Sequence, residues 1–456
     1  MGRIQLEWDI ESHQIEKSDS EDPRTKWARR RNLLRLLLLI FIMLGLAFAA
    51  LLFAENRLLE VDKQLDQLLR DTVRAEVAAV RIGDFNTFMN LQRSATDEWL
   101  NTQQATFQFY ESLKVTTDLT LTGNVLDTEI EEQRGRVIVE EIIDGVPYAH
   151  VWFYWRYSDG WRHVPPDYTF WGEKLEIESD SVFIRYSAVD EIFAQSVNEK
   201  VEQWLSRGCE ILQCAESPSI TIDILTDAPE PVMWFDEASS QLLIQSPYVR
   251  GARADLPFDV PLQIQVATLL AEKLINIKTN NMIMVYPQDV YQLRQSVISY
   301  LVEQFVQVET NSFLIESIAN QYGVDKVGQL VSLFTPTSDM TMIQQVIPAQ
   351  IGQANLDWRD FITWRLVTES ELIVRRSEGE WLNLYNMTDE TVRVAAYNRF
   401  NSTVPNEQQV AIDQQMQSDI NGQPQLRVVV RVGAGNMFRD EVVLFNLVNN
   451  IWKRAS

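Results

Sequence analysis

Residues 36–54 (LLLLIFIMLGLAFAALLFA) form nineteen consecutive positions without a charge. At about 1.5 Å rise per residue they span about 28 Å, close to the hydrocarbon thickness of a bilayer. This predicts a transmembrane helix, because the apolar part of a cleaved signal peptide runs only about 7–15 residues. Arg24, Lys26, Arg29, Arg30, Arg31 and Arg35 precede the stretch with no acid after Asp22, and Glu55 and Glu60 follow it. The positive-inside rule then places the N-terminus in the cytoplasm and everything after Ala54 outside. From 56 to 80 leucines and valines recur at helical spacing (Leu58, Leu59, Val61, Leu65, Leu68, Leu69, Val73), and Gly83-Asp84 breaks the pattern. Short helices are predicted near Phe85–Phe88–Leu91 and over 97–110. The period then changes to that of strands over 117–125, 136–143 and 146–157, with Asp144-Gly145 and Asp159-Gly160 marking the turns. Helices followed by an antiparallel sheet give an α+β fold class.

The last ninety or so residues repeat this order. RGRVIVEEIIDG (134–145) parallels QLRVVVRVGAGN (425–436), WFYWRYSDGWRH (152–163) parallels VVLFNLVNNIWKR (442–454), and AEVAAVRIGDFNTFMNL (75–91) has a counterpart in ESELIVRRSEGEWLNLY (369–385). Two copies of one fold flanking a middle segment are implied. The middle segment holds a helix over 187–205 with Ser187 as N-cap and Asp190 three residues on. Strands are predicted at 219–225 and 241–246, and helices at about 260–277, 287–309, 311–322, 325–333, 339–347 and 356–374.

The flanking copies resemble the nuclear transport factor 2-like (SnoaL-like) cone fold, on Arg81, Gly83, Asp84 and Phe88 at the helix junction and Asp159, Gly160 and Trp161 at the closing turn. The C-terminal copy has Asn449-Asn450 and Trp452 in place of the latter. The middle segment resembles the gluzincin metallopeptidase fold of the peptidase MA type. Tyr186, Ser187, Asp190, Phe193 and Ala194 match its opening motif, FLIESIANQY (313–322) its third-ligand helix, and LDWRDFITWRL (356–366) its late Trp helix. The resemblances imply this organisation: 1–35 cytoplasmic tail, 36–54 transmembrane helix, 55–172 cone-like domain, 173–365 gluzincin-like domain, 366–456 a second, shorter cone-like domain.

Gluzincin chemistry needs HExxH, where two histidines one helical turn apart bind zinc and the glutamate activates water. The three histidines are His13, His150 and His163, so none follows position 163. The helix where the motif belongs offers only Glu272, and Glu316 stands at the third-ligand position, a set that does not hold catalytic zinc. No nucleophile elbow, phosphate loop or other cofactor motif is present. GAGNMF (433–438) is expected to be a hairpin turn, and the acidic DTEIEE (127–132) a solvated edge.

Forty basic residues against 64 acidic give a net charge of −24. That excludes a sequence-independent nucleic-acid binder, which needs cations to displace phosphate counterions. Residues 1–35 hold eight basic and seven acidic side chains and 36–54 none, leaving 32 against 57, or −25, for the part outside. Cys209 and Cys214 would lie on the oxidising side, where either a disulfide or two free thiols fit the sequence. The ligand-pocket candidates are Tyr148, His150, Trp152, Tyr154 and Arg156, which alternation puts on one face of the aromatic strand 148–157. They suit either an apolar or acidic ligand or a filled core. The expected function is a membrane-anchored extracytoplasmic binding or scaffold protein with an inactive peptidase-like core, whose partner is an envelope protein or peptide. A divergent hydrolase or a small-ligand or peptide sensor is the other reading.

Overall fold

The computed structural model describes residues 23–166, 170–236, 239–282, 289–401, 408–434 and 437–455. The chain divides into two units, Met1–Ala75 and Glu76–Ser456. Helix α1 (Pro23–Ile82) contains the 36–54 stretch, and by length and composition it is able to cross a membrane.

In the second unit Gly83, at φ +74°, ends α1 in a conformation that a Cβ disfavours, and Asp84 caps α2 (Phe85–Leu91), accepting the Thr87 amide at 3.0 Å. Helix α3 (Asp97–Thr116) runs a turn and a half beyond its predicted end. An antiparallel meander follows: β1 (Leu119–Glu131), β2 (Arg134–Ile143), β3 (Val146–Tyr157) and β4 (Gly160–His163). The acidic stretch lies at an exposed edge as expected, at the end of β1, the edge strand of its sheet, where Glu129 and Glu131 stand directly opposite Arg136 and Arg134 and pair with them across the strands.

The middle segment holds more sheet than its sequence suggests. Strands β5 (Lys174–Glu178), β6 (Val182–Ser187), β7 (Ile220–Leu225), β8 (Val232–Trp234) and β9 (Gln241–Gln245) form a sheet in the order β5-β6-β7-β9-β8. Its centre is parallel and its two edge strands antiparallel. A 3-10 turn at Ala188–Asp190 leads into α4 (Glu191–Leu212), so Ser187 precedes the turn rather than the helix proper and makes no capping bond, its hydroxyl accepting instead from Lys174 Nζ at 2.9 Å. Cys209 and Cys214, at the end of α4, form a disulfide. The two-residue β10 (Ala252–Arg253) leaves this sheet and pairs with β3, Ala252 opposite Ala149.

Helices α5 (Val260–Lys278), α6 (Asp289–Val306), α7 (Phe313–Tyr322), α8 (Asp325–Ser332), α9 (Ile343–Val346) and α10 (Arg359–Arg375) follow. Then come α11 (Glu378–Asn383), α12 (Glu390–Phe400) and a second meander, β11 (Gln408–Ser418), β12 (Pro424–Ala434), β13 (Met437–Val448) and β14 (Ile451–Arg454). Ala434 faces Met437 across a hairpin whose tip, 435–436, lies outside the described residues. One hydrophobic core runs through the unit from Ala149 to Trp452 and includes Phe193, Trp204, Leu270, Trp358 and Phe445. A smaller core of Leu372, Trp381, Tyr385 and Phe400 lies among α10, α11 and α12.

Candidate functional site

The first meander buries a polar cluster on the face of β3 that carries the sequence candidates. Glu76, near the end of α1, is 1% exposed. Its carboxylate accepts from Gln92 Nε2 (2.7 Å) and the Tyr154 hydroxyl (2.7 Å), and lies 2.7 Å from His163 Nδ1. Three donors on one carboxylate compensate its loss of water. The His163 ring is stacked with Trp152 (centroids 5.4 Å apart) and Tyr154 (5.0 Å), with the edge of Trp99 at 5.3 Å. A second buried carboxylate, Glu141, receives the Tyr110 hydroxyl and lies 3.4 Å from His150 Nε2. Burial pushes both phenols, Tyr110 and Tyr154, well above their usual range, and the charges of Glu141 and Glu76 push the same way, so both stay protonated donors at neutral pH.

Of the five sequence candidates the structure brings three together here. Tyr154 is fully buried, Trp152 is half-buried against His163, and His150 faces Glu141 with its ring against Gly251. At φ +98°, Gly251 must lack a Cβ, which would come within 2.4 Å of that ring. Tyr148 and Arg156 occupy the strand's ends instead. Tyr148 pairs with Arg253 and lines a hollow of about 240 Å³ with Pro231, Pro247, Arg250, Pro257 and Pro261, while Arg156 stands opposite Trp161. Because Trp152 is half-buried, we expect Trp152→Ala to cost about 2 kcal/mol, roughly half the loss of a fully buried ring. Urea unfolding would measure it, and a change below about 0.5 kcal/mol would return the ring to a loosely packed wall.

Glu76, Gln92, Glu141 and His163 escaped the sequence reading. Glu76 did leave a signal, since it sits at helical spacing among the apolar Val73, Val77 and Val80.

The second meander carries the same closure. A parallel bridge joins Gln92 to His163 in the first copy and Tyr385 to Arg454 in the second. Trp161 and Trp452 are buried at matching positions of β4 and β14. The helical part therefore aligns one residue away from the sequence match: Glu76 corresponds to Glu369, not to Ser370. Arg376 (φ +58°) and Ser377 take the places of Gly83 and the capping Asp84. Glu369, also 1% exposed, accepts from Arg454 Nη1 at 2.6 Å, with Arg399 Nη2 at 3.9 Å. A hollow of about 150 Å³ beside it is lined by Ser370, Arg399, Gln409, Arg439 and Glu441.

In the middle segment, counting the HExxH pattern from Glu272 puts its two histidine positions at Ala271 and Ile275, both fully buried in the apolar core. Glu316 on α7 holds Asn320 one turn on, at 3.4 Å. Among the described residues no group of three or more His, Cys, Asp or Glu side chains is arranged to hold a metal. Asp190 is buried and accepts from Ser246 Oγ at 2.6 Å, and burial raises its carboxyl to about 6 despite that bond. Compared with protein-family models, with curated proteins and with solved structures, the chain matches none of them.

Proposed function

We propose that this chain is a single-pass membrane protein with its N-terminus in the cytoplasm. Its residues beyond 54 then act outside as a binding or scaffold module: two cone-like α+β domains flanking a gluzincin-like domain without zinc chemistry. The observation that carries this reading is the matched pair of closures. The buried glutamate meets a histidine in one copy and an arginine in the other, and both carboxylates are 1% exposed. A general acid or base must come within hydrogen-bond reach of its substrate. A carboxylate already holding Gln92, Tyr154 and His163 instead fixes α1, α2, β3 and β4 to one another, and Arg454 in place of histidine serves that purpose as well. The parallel sheet with an antiparallel edge supports the gluzincin likeness, and apolar Ala271 and Ile275 support the loss of its metal. The arginines at 29–31 and 35 support the orientation.

Purification of the tagged full chain from detergent-extracted membranes tests the reading. A protein or peptide of the cell envelope is expected to co-purify at constant stoichiometry, and added zinc with denatured protein is expected to give no cleavage. Turnover that disappears in Glu272→Gln or Glu76→Gln would overturn it.

A further inference from the structure

The helix of the first unit carries an apolar seam that runs on past the membrane stretch. Leu37, Ile40, Leu44, Ala47, Leu51, Ala54, Leu58, Val61, Leu65 and Leu68 follow one another at alternating intervals of three and four, the a and d positions of a heptad. Within 36–54 such spacing means little, because every position is apolar. From Leu58 on it discriminates: the positions between are Glu60, Asp62, Lys63, Gln64, Asp66 and Gln67, with Leu59 the one apolar exception. Val61 is 49% and Leu68 57% exposed and Leu65 is half-buried, whereas Leu69 and Val73, one stripe over, are fully buried. Residues just outside a bilayer lie in water, where an uncovered leucine stripe is unfavourable.

We propose that this seam pairs with the same seam of a second copy of the chain, as a parallel coiled coil continuing from the membrane span through Leu68. The inference rests on the membrane anchoring proposed above, and three observations select a second copy as the occupant. Two chains anchored by the same span present the stripe in the same direction and register, which raises their effective concentration. In the sequence, positions 47 and 54 of the repeat are alanine, and small residues at such spacing let membrane helices approach closely. Arg57 and Asp62 occupy the g position and the following e position, which face each other between parallel copies and are opposite in charge. The contact of Arg57 with Glu60 in its own helix, with both side chains more than half exposed, is weak enough to be exchanged for the partner's Asp62.

The two native cysteines are joined to each other, so single cysteines can be placed without background. In membranes under mild oxidation, full-length Val61→Cys and Leu65→Cys are expected to form a species of twice the 52.8 kDa chain mass. Lys63→Cys and Asp66→Cys, facing away, are expected to stay monomeric. Asp62→Arg should reduce cross-linking at Leu65→Cys several-fold, and adding Arg57→Asp should restore it. Equal cross-linking at all four positions, none at the seam, or a seam adduct with a different protein would overturn the pairing. Carbonate extraction of the same membranes reads the anchor separately: a chain released by carbonate refutes the membrane reading, and the cysteine pattern still decides the pairing.

Discussion

Replacing Glu369 by glutamine is expected to destabilise the second unit by about 3–5 kcal/mol, the range for leaving one member of a buried ion pair uncompensated. Glu369 and Arg454 are 1% and 4% exposed, and the guanidinium donates to the carboxylate at 2.6 Å. The Tyr385 ring lies 5.9 Å from the same guanidinium, and its phenol is driven far above its usual range by burial and then by the charge of Glu369. Neutralising Glu369 removes the buried counter-charge bonded to Arg454, a cation that cannot respond by losing its proton. The corresponding change in the first copy, Glu76→Gln, is expected to cost only about 1 kcal/mol, because an imidazole can remain neutral and hydrogen-bonded where a guanidinium cannot. Replacing Glu369 and Arg454 together by leucine and methionine is expected to cost clearly less than the sum of the single losses. Urea unfolding of Glu369→Gln, Glu76→Gln, Glu369→Leu, Arg454→Met and the double variant measures all of this, and equal losses for Glu76→Gln and Glu369→Gln would refute the distinction between the closures.

The meanders were legible because half-buried strands alternate and their turns announce themselves. Asp144-Gly145 adopts the positive φ values that this pair favours, at +51° and +79°. Strands β5 and β8, of five and three residues, are too short for a period to emerge against their surroundings. The aromatic face of β3 was readable by alternation, but what it faces was not. Glu76 and His163 are 87 residues apart, and Glu369 and Arg454 are 85. Only the fold brings such pairs together, and a lone glutamate on an apolar stripe gives the position of a buried charge without naming its partner. The match between the two meanders was visible in their strands, where 134 with 425 and 163 with 454 have the spacing that the registers share. It slipped by one residue in the helices, where a 3.6-residue period tolerates a neighbouring match better than a two-residue period does.

The stability of the second unit is expected to fall as pH rises from about 4 to 7, with Asp360 as the main cause. Asp360 stands at the start of α10 with 1% exposure, its Oδ1 accepting the Leu314 amide at 3.0 Å. Burial raises the carboxyl from 3.8 to about 7 although the Ser296 hydroxyl and then the Leu314 and Phe361 amides pull against it, and the charge of Asp357 adds a little to the rise. Between those values the folded chain holds a proton that the unfolded chain has released, so ν_U − ν_N is negative and stability declines with pH. Across the interval of about three pH units, at ~1.4 kcal/mol each, the loss reaches about 4 kcal/mol at most. Asp190, raised to about 6, declines in the same direction over a narrower window. Asp360→Asn keeps an oxygen for the Leu314 amide and cannot ionise. The variant is therefore expected to gain on the parent as pH rises, with little difference at pH 4 and a gain of a few kcal/mol at pH 8. Urea unfolding at pH 4, 6 and 8 reads the difference between parent and variant, which cancels the remaining carboxylates. A difference that does not change with pH would show that Asp360 is ionised in the folded protein throughout.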